Sequence, residues 1–218
     1  MTQRRRKNAE QGFTLLEIIV VLAVLGALAA ILSPVVFRYI DDANRSRAQA
    51  DTDTIAASIQ QLYKDTGRWA YHADATGQVP YQSGTDAAVL TSNTAATCAS
   101  DGNVADDDNQ APVDGSGDAS WSLSSALCHT LASHLVSNGH SYPTSGPRRW
   151  RGPYLDTIPA GDPWGRSYLV NIANANPDGT DWVIVLSAGP NGTIETDSTQ
   201  VVTGTLTPGG DDIVSRVK

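Results

Sequence analysis

Cysteine is nearly absent from this chain. Its 218 residues contain two, Cys98 and Cys128, neither in a C-x-x-C motif nor beside a spaced histidine pair. The usual cysteine-based zinc frameworks are thereby excluded. Catalytic signatures are lacking as well: there is no G-x-S-x-G, no H-E-x-x-H and no phosphate-binding glycine loop followed by Lys-Ser/Thr. Paired acids such as Asp211 and Asp212 are too generic to carry a hydrolase. His129, His134 and His140 match no ligand set, and no role is assigned to them. Positive charge is scarce, with 15 Lys and Arg against 23 Asp and Glu and a formal net charge of −8. A chain of that balance offers no basic face, so nucleic acid is not its main partner.

What is abundant is apolar sequence, concentrated in one place. Phe13 to Phe37 reads FTLLEIIVVLAVLGALAAILSPVVF, and as a helix about 25 residues reach roughly 37 Å, enough for a bilayer core. Arg4, Arg5, Arg6 and Lys7 precede it, so the positive-inside rule keeps the N-terminus cytoplasmic and carries the rest across an inner membrane. A secretory signal would end in a small-residue cleavage site after the apolar run. Here the cationic leader ends in Gln11-Gly12 before the run, and no such site follows Phe37. Glu17 stands one turn inside the apolar stretch; an acid near a bilayer centre costs about 2.5–3.5 kcal/mol on insertion scales, so one that persists in such a run marks a functional position. In an exported, oxidising setting a Cys98–Cys128 disulfide is expected, closing a loop of roughly 30 residues worth about 3 kcal/mol. The alternative is two unpaired thiols. Removing residues 1–12 takes away four cations and Glu10, leaving the remainder near −11.

Gly12-Phe13-Thr14-Leu15-Leu16-Glu17 resembles the prepilin cleavage motif of type IV pilins and type II secretion pseudopilins. The resemblance implies a prepilin peptidase that cuts after Gly12 and methylates the new N-terminus at Phe13. It also implies assembly with other copies or homologous subunits, on an inner-membrane platform, into a helical filament. The physical reading of Glu17 agrees. Apolar helices packed side by side exclude water, and a carboxylate among them needs a partner. The freed amine of a neighbouring subunit's Phe13 is such a partner and would set axial register. A lesser reading has Glu17 complement only the helix dipole, worth about 0.3–1 kcal/mol. Pro34, also common in the family, removes a backbone hydrogen bond and should kink or loosen the helix over Leu32–Val36. Gly26 adds a second weak point, or permits close helix approach.

The helix is expected to run from 13 to 65, with 13–37 as the membrane or filament segment and 38–66 amphipathic. Ile55, Ile59, Leu62 and Tyr63 form one apolar stripe, the charged residues Arg38–Asp53 fall largely off it, and Gly67 is the C-terminal cap. The expected fold is α+β: a long hydrophobic helix of pilin type packed on a small antiparallel sheet in a head spanning 67–218. Residues 73–118, polar and carrying Asp106-Asp107-Asp108, read as an inserted loop. Leu123, Leu127, Leu131 and Leu135 predict a second helix within Trp121–Val136.

Trp150–Tyr168 (WRGPYLDTIPAGDPWGRSY) is similar to a Gly-Pro-Tyr-Leu … Asp-Pro-Trp-Gly segment of major pseudopilins. It predicts two rigid turns anchored by Tyr154, Trp164 and Tyr168. Strands follow at about Tyr168–Ile172 and Trp182–Ser187, around the turn at 176–179. The last block, Leu186–Val214, is similar to the stretch that holds a structural calcium in those pseudopilins. The resemblance implies side-chain ligands among Asn191, Glu195, Asp197, Asp211 and Asp212, with a carbonyl from Leu186 or Ser187, and Asp211 foremost. Asn191 stands where aspartate is common, and residues 198–210 interrupt the spacing. Ordinary acidic turns are the other reading.

The function so implied is a structural subunit of a type II secretion pseudopilus, without catalysis, its head periplasmic. A type IV pilus subunit is the alternative within the family, to which the insert and the cysteine pair point. A membrane-anchored exported enzyme is the alternative from another class, and nothing beyond the anchor favours it.

Overall fold

The computed structural model describes residues 13–70, 89–92, 113–114, 121, 128–175 and 180–217. The chain divides after Ala43 into two compact units. The helix α1, Leu15–Thr66, contributes to both and is unbroken at Gly26 and Pro34. Proline has no N–H to give the carbonyl of Ala30. Beside it, the Ser33 hydroxyl donates to the Ala29 carbonyl at 2.8 Å, a back-bond that tends to bend helices. In the first unit the large apolar side chains from Phe13 to Ile40 are exposed.

In the second unit, α1 buries Ala48, Thr52, Ile55, Ala56, Ile59, Leu62 and Thr66. Steps of three and four residues place them on one face. Tyr63, expected on that stripe, is 40% exposed and instead stacks on Trp69, with ring centroids 4.1 Å apart. The helix ends where expected: Gly67 takes a φ of +69° and its N–H donates to the Tyr63 carbonyl at 2.7 Å, a left-handed cap that glycine adopts without a Cβ penalty.

The head is built on a five-stranded sheet in the order β3-β1-β4-β5-β7. Its strands are β1 (Val89–Thr91), β3 (Cys128–Thr130), β4 (Leu169–Val170), β5 (Ile184–Ser187) and β7 (Ile213–Arg216). Two further strands, β2 (Val113–Asp114) and β6 (Thr193–Ile194), pair in parallel. The expected strands on either side of 176–179 are present, with Leu169 opposite Leu186 and Val170 opposite Val185. The turn itself lies outside the described residues.

Three expectations are corrected. The sheet is mixed rather than antiparallel, because β1 and β3 run parallel. The stretch 73–118 is not only a loop: β1 lies inside it and is an interior strand of the sheet, with Val89, Leu90 and Thr91 all buried. Most of the rest of that stretch, including Asp106–Asp108, lies outside the described residues. The second helix, α2, is only Leu131–Leu135, preceded by β3. Thr130 ends the strand and starts the helix, since its hydroxyl oxygen accepts the Ser133 N–H at 3.2 Å.

Alternation along β5 separates two hydrophobic clusters. Val183 and Val185 join Ile55, Ile59 and Leu62 of α1, together with Leu90, Val170 and Tyr168. Ile184 and Leu186 join Val89, Leu169, Ile194 and Trp121. Both faces of the strand are therefore covered, and all four of its residues are buried. Polar bonds tie the helix to the sheet: Thr52 and Ser215 hydroxyls meet at 2.8 Å, the Ser215 hydroxyl donates to Asp53 at 2.5 Å, and the Tyr168 hydroxyl donates to Asp51 at 2.9 Å.

Candidate functional site

Phe13 and Thr14 precede α1, and Thr14 caps it. Its side-chain oxygen accepts the Glu17 N–H at 3.3 Å, and its carbonyl accepts the same N–H at 3.1 Å and that of Ile18 at 3.3 Å. Thr14-x-x-Glu17 has the capping-box spacing. The capping role of Thr14 is signalled by that spacing alone, not by the apolar run around it. Phe13 is 79% exposed, and no described residue pairs with the Glu17 carboxylate. Gly12 lies outside the described residues, as does Cys98, so the expected disulfide does too. α1 is long and apolar enough to cross a membrane, and none of that stretch is buried.

The acidic C-terminal loop brings Asn191, Glu195 and Asp211 together. Asp211 Oδ2 accepts the Asn191 N–H at 3.1 Å, and the Asn191 amide donates to Glu195 Oε2 at 3.0 Å. Asn191 Oδ1 accepts the Thr193 N–H at 2.6 Å. The backbone approaches closely here. A Cβ on Gly189, whose φ is +60°, would stand 2.4 Å from the Asp211 carbonyl oxygen. Asp212 lies just behind, its Oδ2 accepting the N–H groups of Glu195 and Thr196 at 2.8 and 2.7 Å. Burial raises its pKa above the ordinary carboxylate value, against the pull of those bonds. Asp211 Oδ1 and Asp212 Oδ1 are buried without a hydrogen bond. Asp197 is turned onto its own loop, accepting the Thr199 N–H at 2.8 Å and the Thr199 hydroxyl at 2.7 Å. Leu186 and Ser187 are β5 residues, and Leu186 is paired on both sides.

A second polar centre is Asp162, which sequence reading saw only as part of a turn. Its Oδ1 accepts the Trp164 and Arg166 N–H groups at 3.0 and 2.8 Å, and its Oδ2 accepts the Ser187 hydroxyl at 2.6 Å. The carboxylate thus joins the Asp-Pro-Trp-Gly turn to β5, next to the acidic loop. Burial raises its pKa, although Ser187 and the two N–H groups pull the other way. Of the three expected anchors, Tyr168 is fully buried, while Tyr154 and Trp164 are half-buried.

Histidines that suggested no ligand set in the sequence converge in space. One nitrogen from each of His129, His134 and His140 lies within 4.8 Å of the others. They come from β3, α2 and the turn after α2, so no single-element spacing could reveal them.

Two family models match the chain: the prokaryotic N-terminal methylation motif over residues 7–33 and type II secretion system protein G over residues 133–204. Similar proteins include the toxin coregulated pilin of Vibrio cholerae, 32% identical over 36% of this chain and 35% of the relative. The type II secretion system core protein G of Pseudomonas aeruginosa is 44% identical over 28% of this chain and 41% of the relative. Fimbrial protein EcpC of Eikenella corrodens is 32% identical over 33% and 46%. The chain thus spans less than half the length of these relatives. No solved structure matches it. With a methylation motif at the start of its apolar helix and a protein G segment in its head, the chain is type IV pilin-like and similar to type II secretion pseudopilins.

Proposed function

We propose that this protein is a structural, non-catalytic subunit of a type II secretion pseudopilus. In this reading prepilin peptidase cuts after Gly12 and methylates Phe13. The mature helix then leaves the inner membrane for a filament of like subunits, assembled on an inner-membrane platform, with the head on the periplasmic side. One observation carries the proposal: the cleavage motif opens a capped helix whose large apolar side chains are all exposed as far as Ile40. A contiguous apolar surface of that length calls for lipid or neighbouring helices. In this reading Glu17, at the start of that surface, pairs with the amine of a neighbour's Phe13. The similarity of residues 133–204 to type II secretion protein G favours the pseudopilus.

Two measurements test this reading. Mass spectrometry of the membrane-extracted protein, made beside an active prepilin peptidase, should show a chain beginning at methylated Phe13. An intact Met1 defeats the proposal. Glu17→Ala should be cleaved normally yet fail to enter filaments, and normal filaments would refute the register role. The second reading, a type IV pilus subunit, draws on the similarity to a toxin coregulated pilin and a fimbrial protein. Deleting the gene separates the two. Retained export cargo supports the pseudopilus, whereas loss of surface fibres with export intact supports the pilus.

The reading includes a structural calcium in the head. Asp211, Glu195 and Asn191 would hold it, with the buried open oxygens Asp211 Oδ1 and Asp212 Oδ1 as supporting observation. Carboxylate and amide oxygens on a loop with glycine at its bend are the donor set that calcium takes. Bound there, the ion would tie the 189–195 turn to residues 211–212.

A further inference from the structure

We propose that His129, His134 and His140 form a binding site for a divalent transition-metal ion of the zinc class, separate from the acidic loop. His134 is fully buried, and the His140 ring lies 3.9 Å from the His134 ring and 4.3 Å from the His129 ring, nearly parallel to both. His129 Nδ1 and His134 Nε2 are 3.0 Å apart. Two nitrogens sharing a tetrahedral zinc at about 2.0–2.1 Å stand roughly 3.4 Å apart. That pair needs only a few tenths of an ångström of opening, while the His140 ring, stacked nearly parallel on the other two, must rotate to aim a nitrogen at the same point.

The surroundings have the character of an outer shell. The other nitrogen of His134, Nδ1, lies 2.6 Å from the buried Tyr142 hydroxyl, and His140 Nε2 lies 2.9 Å from the Ser133 hydroxyl. Metal-bound imidazoles are typically oriented through their second nitrogen in this manner. With Nδ1–H donated to Tyr142, His134 Nε2 presents its lone pair toward His129. The backbone is held as well. Asn138 Oδ1 accepts the Tyr142 N–H at 2.7 Å, and the Asn138 amide donates to the Tyr142 carbonyl at 2.8 Å. The turn carrying His140 is closed between them. Trp150 Nε1 donates to the His134 carbonyl at 3.3 Å.

Neutral imidazole suits zinc, copper and nickel rather than calcium, which prefers oxygen. Three protein ligands would leave a fourth position for water or a donor from another subunit. Since β3 is the sheet's edge strand, the ion would staple that edge to α2 and the following turn.

The test uses the full chain in detergent, stripped with a chelator and titrated with zinc chloride. Binding of one equivalent is expected, with a melting temperature raised by roughly 5 °C or more at saturation. Cobalt(II) should give the visible bands of a nitrogen-ligated tetrahedral complex. His140→Ala and His129→Ala, each checked to be folded by circular dichroism without metal, should lose at least tenfold in zinc affinity. His72→Ala should bind as the wild type does. His140→Ala should keep any response to calcium. No stoichiometric zinc binding overturns the proposal, as does binding that survives both His129 and His140 substitutions, which is how coordination at the cysteines would behave.

Discussion

Replacing Asp162 with alanine perturbs the head at one carboxylate that satisfies three donors. The Trp164 and Arg166 N–H groups and the Ser187 hydroxyl all end on it. Leaving a buried donor unsatisfied costs about 1–3 kcal/mol. Removing a desolvated carboxylate returns part of that sum. A net loss of about 2–4 kcal/mol follows, which for a domain of this size lowers the melting temperature by roughly 5–15 °C. Asp162→Asn keeps an oxygen for both N–H groups and offers its amide to the Ser187 oxygen, so it should cost about 1 kcal/mol or less. The two variants also differ in pH response. The native pKa of Asp162 is raised by burial above the ordinary 3.8, so the folded state binds this proton more tightly than the unfolded chain does. The stabilisation is fully present below the unfolded pKa and is lost as pH rises through the raised native value. Asparagine cannot titrate. The wild-type minus Asp162→Asn difference in melting temperature should therefore be most positive at the acid end and decline as pH rises through that window. Thermal melts of the detergent-solubilised chain, scanned over pH, read both effects. An alanine variant melting within about 2 °C of wild type, or an asparagine variant as damaged as the alanine one, refutes the reasoning.

Chelation with EGTA should lower the head's melting temperature, by about 2.7 kcal/mol of stability if calcium had stood at 100 times its Kd. Asp211→Asn should abolish that difference, and an unchanged midpoint removes calcium from the account. Ile59→Ala, at a fully buried position of α1, should cost about 2–5 kcal/mol in denaturant unfolding; a loss under 1 kcal/mol would mean the helix does not pack on the sheet as described. Trp121→Phe keeps the ring in its cluster but removes the Nε1 bond to the Thr196 carbonyl at 3.0 Å. It should cost about 1–2 kcal/mol, against which an unaltered midpoint would count.

Much of this protein is local chemistry, and local chemistry is legible in a sequence. The motif Gly12 to Glu17, the apolar run behind it and the stop at Gly67 need only contacts within a turn or two, so their order along the chain already specifies them. The stripe of Ile55, Ile59 and Leu62 was likewise set by helical period, and Pro and Gly marked the turn around Asp162. Tertiary structure decided the rest. Val89–Thr91 is three residues in a polar stretch, too short for a periodic signal, and it became an interior strand because β3 and β4 supply partners on both sides. Leucines at 123, 127, 131 and 135 suggest a short helix within Trp121–Val136, yet pairing with β1 claims Cys128–Thr130 as strand. The third bond of Asp162 reaches Ser187, which lies 25 positions away. His129, His134 and His140 sit on three different elements, and only their packing makes one cluster of them. The N-terminal helix states in the sequence that a long apolar surface must be covered, and the Gly12–Glu17 motif beside it is what makes the chain pilin-like. The acidic loop and the histidine cluster, by contrast, are made of side chains that meet only after the chain has folded.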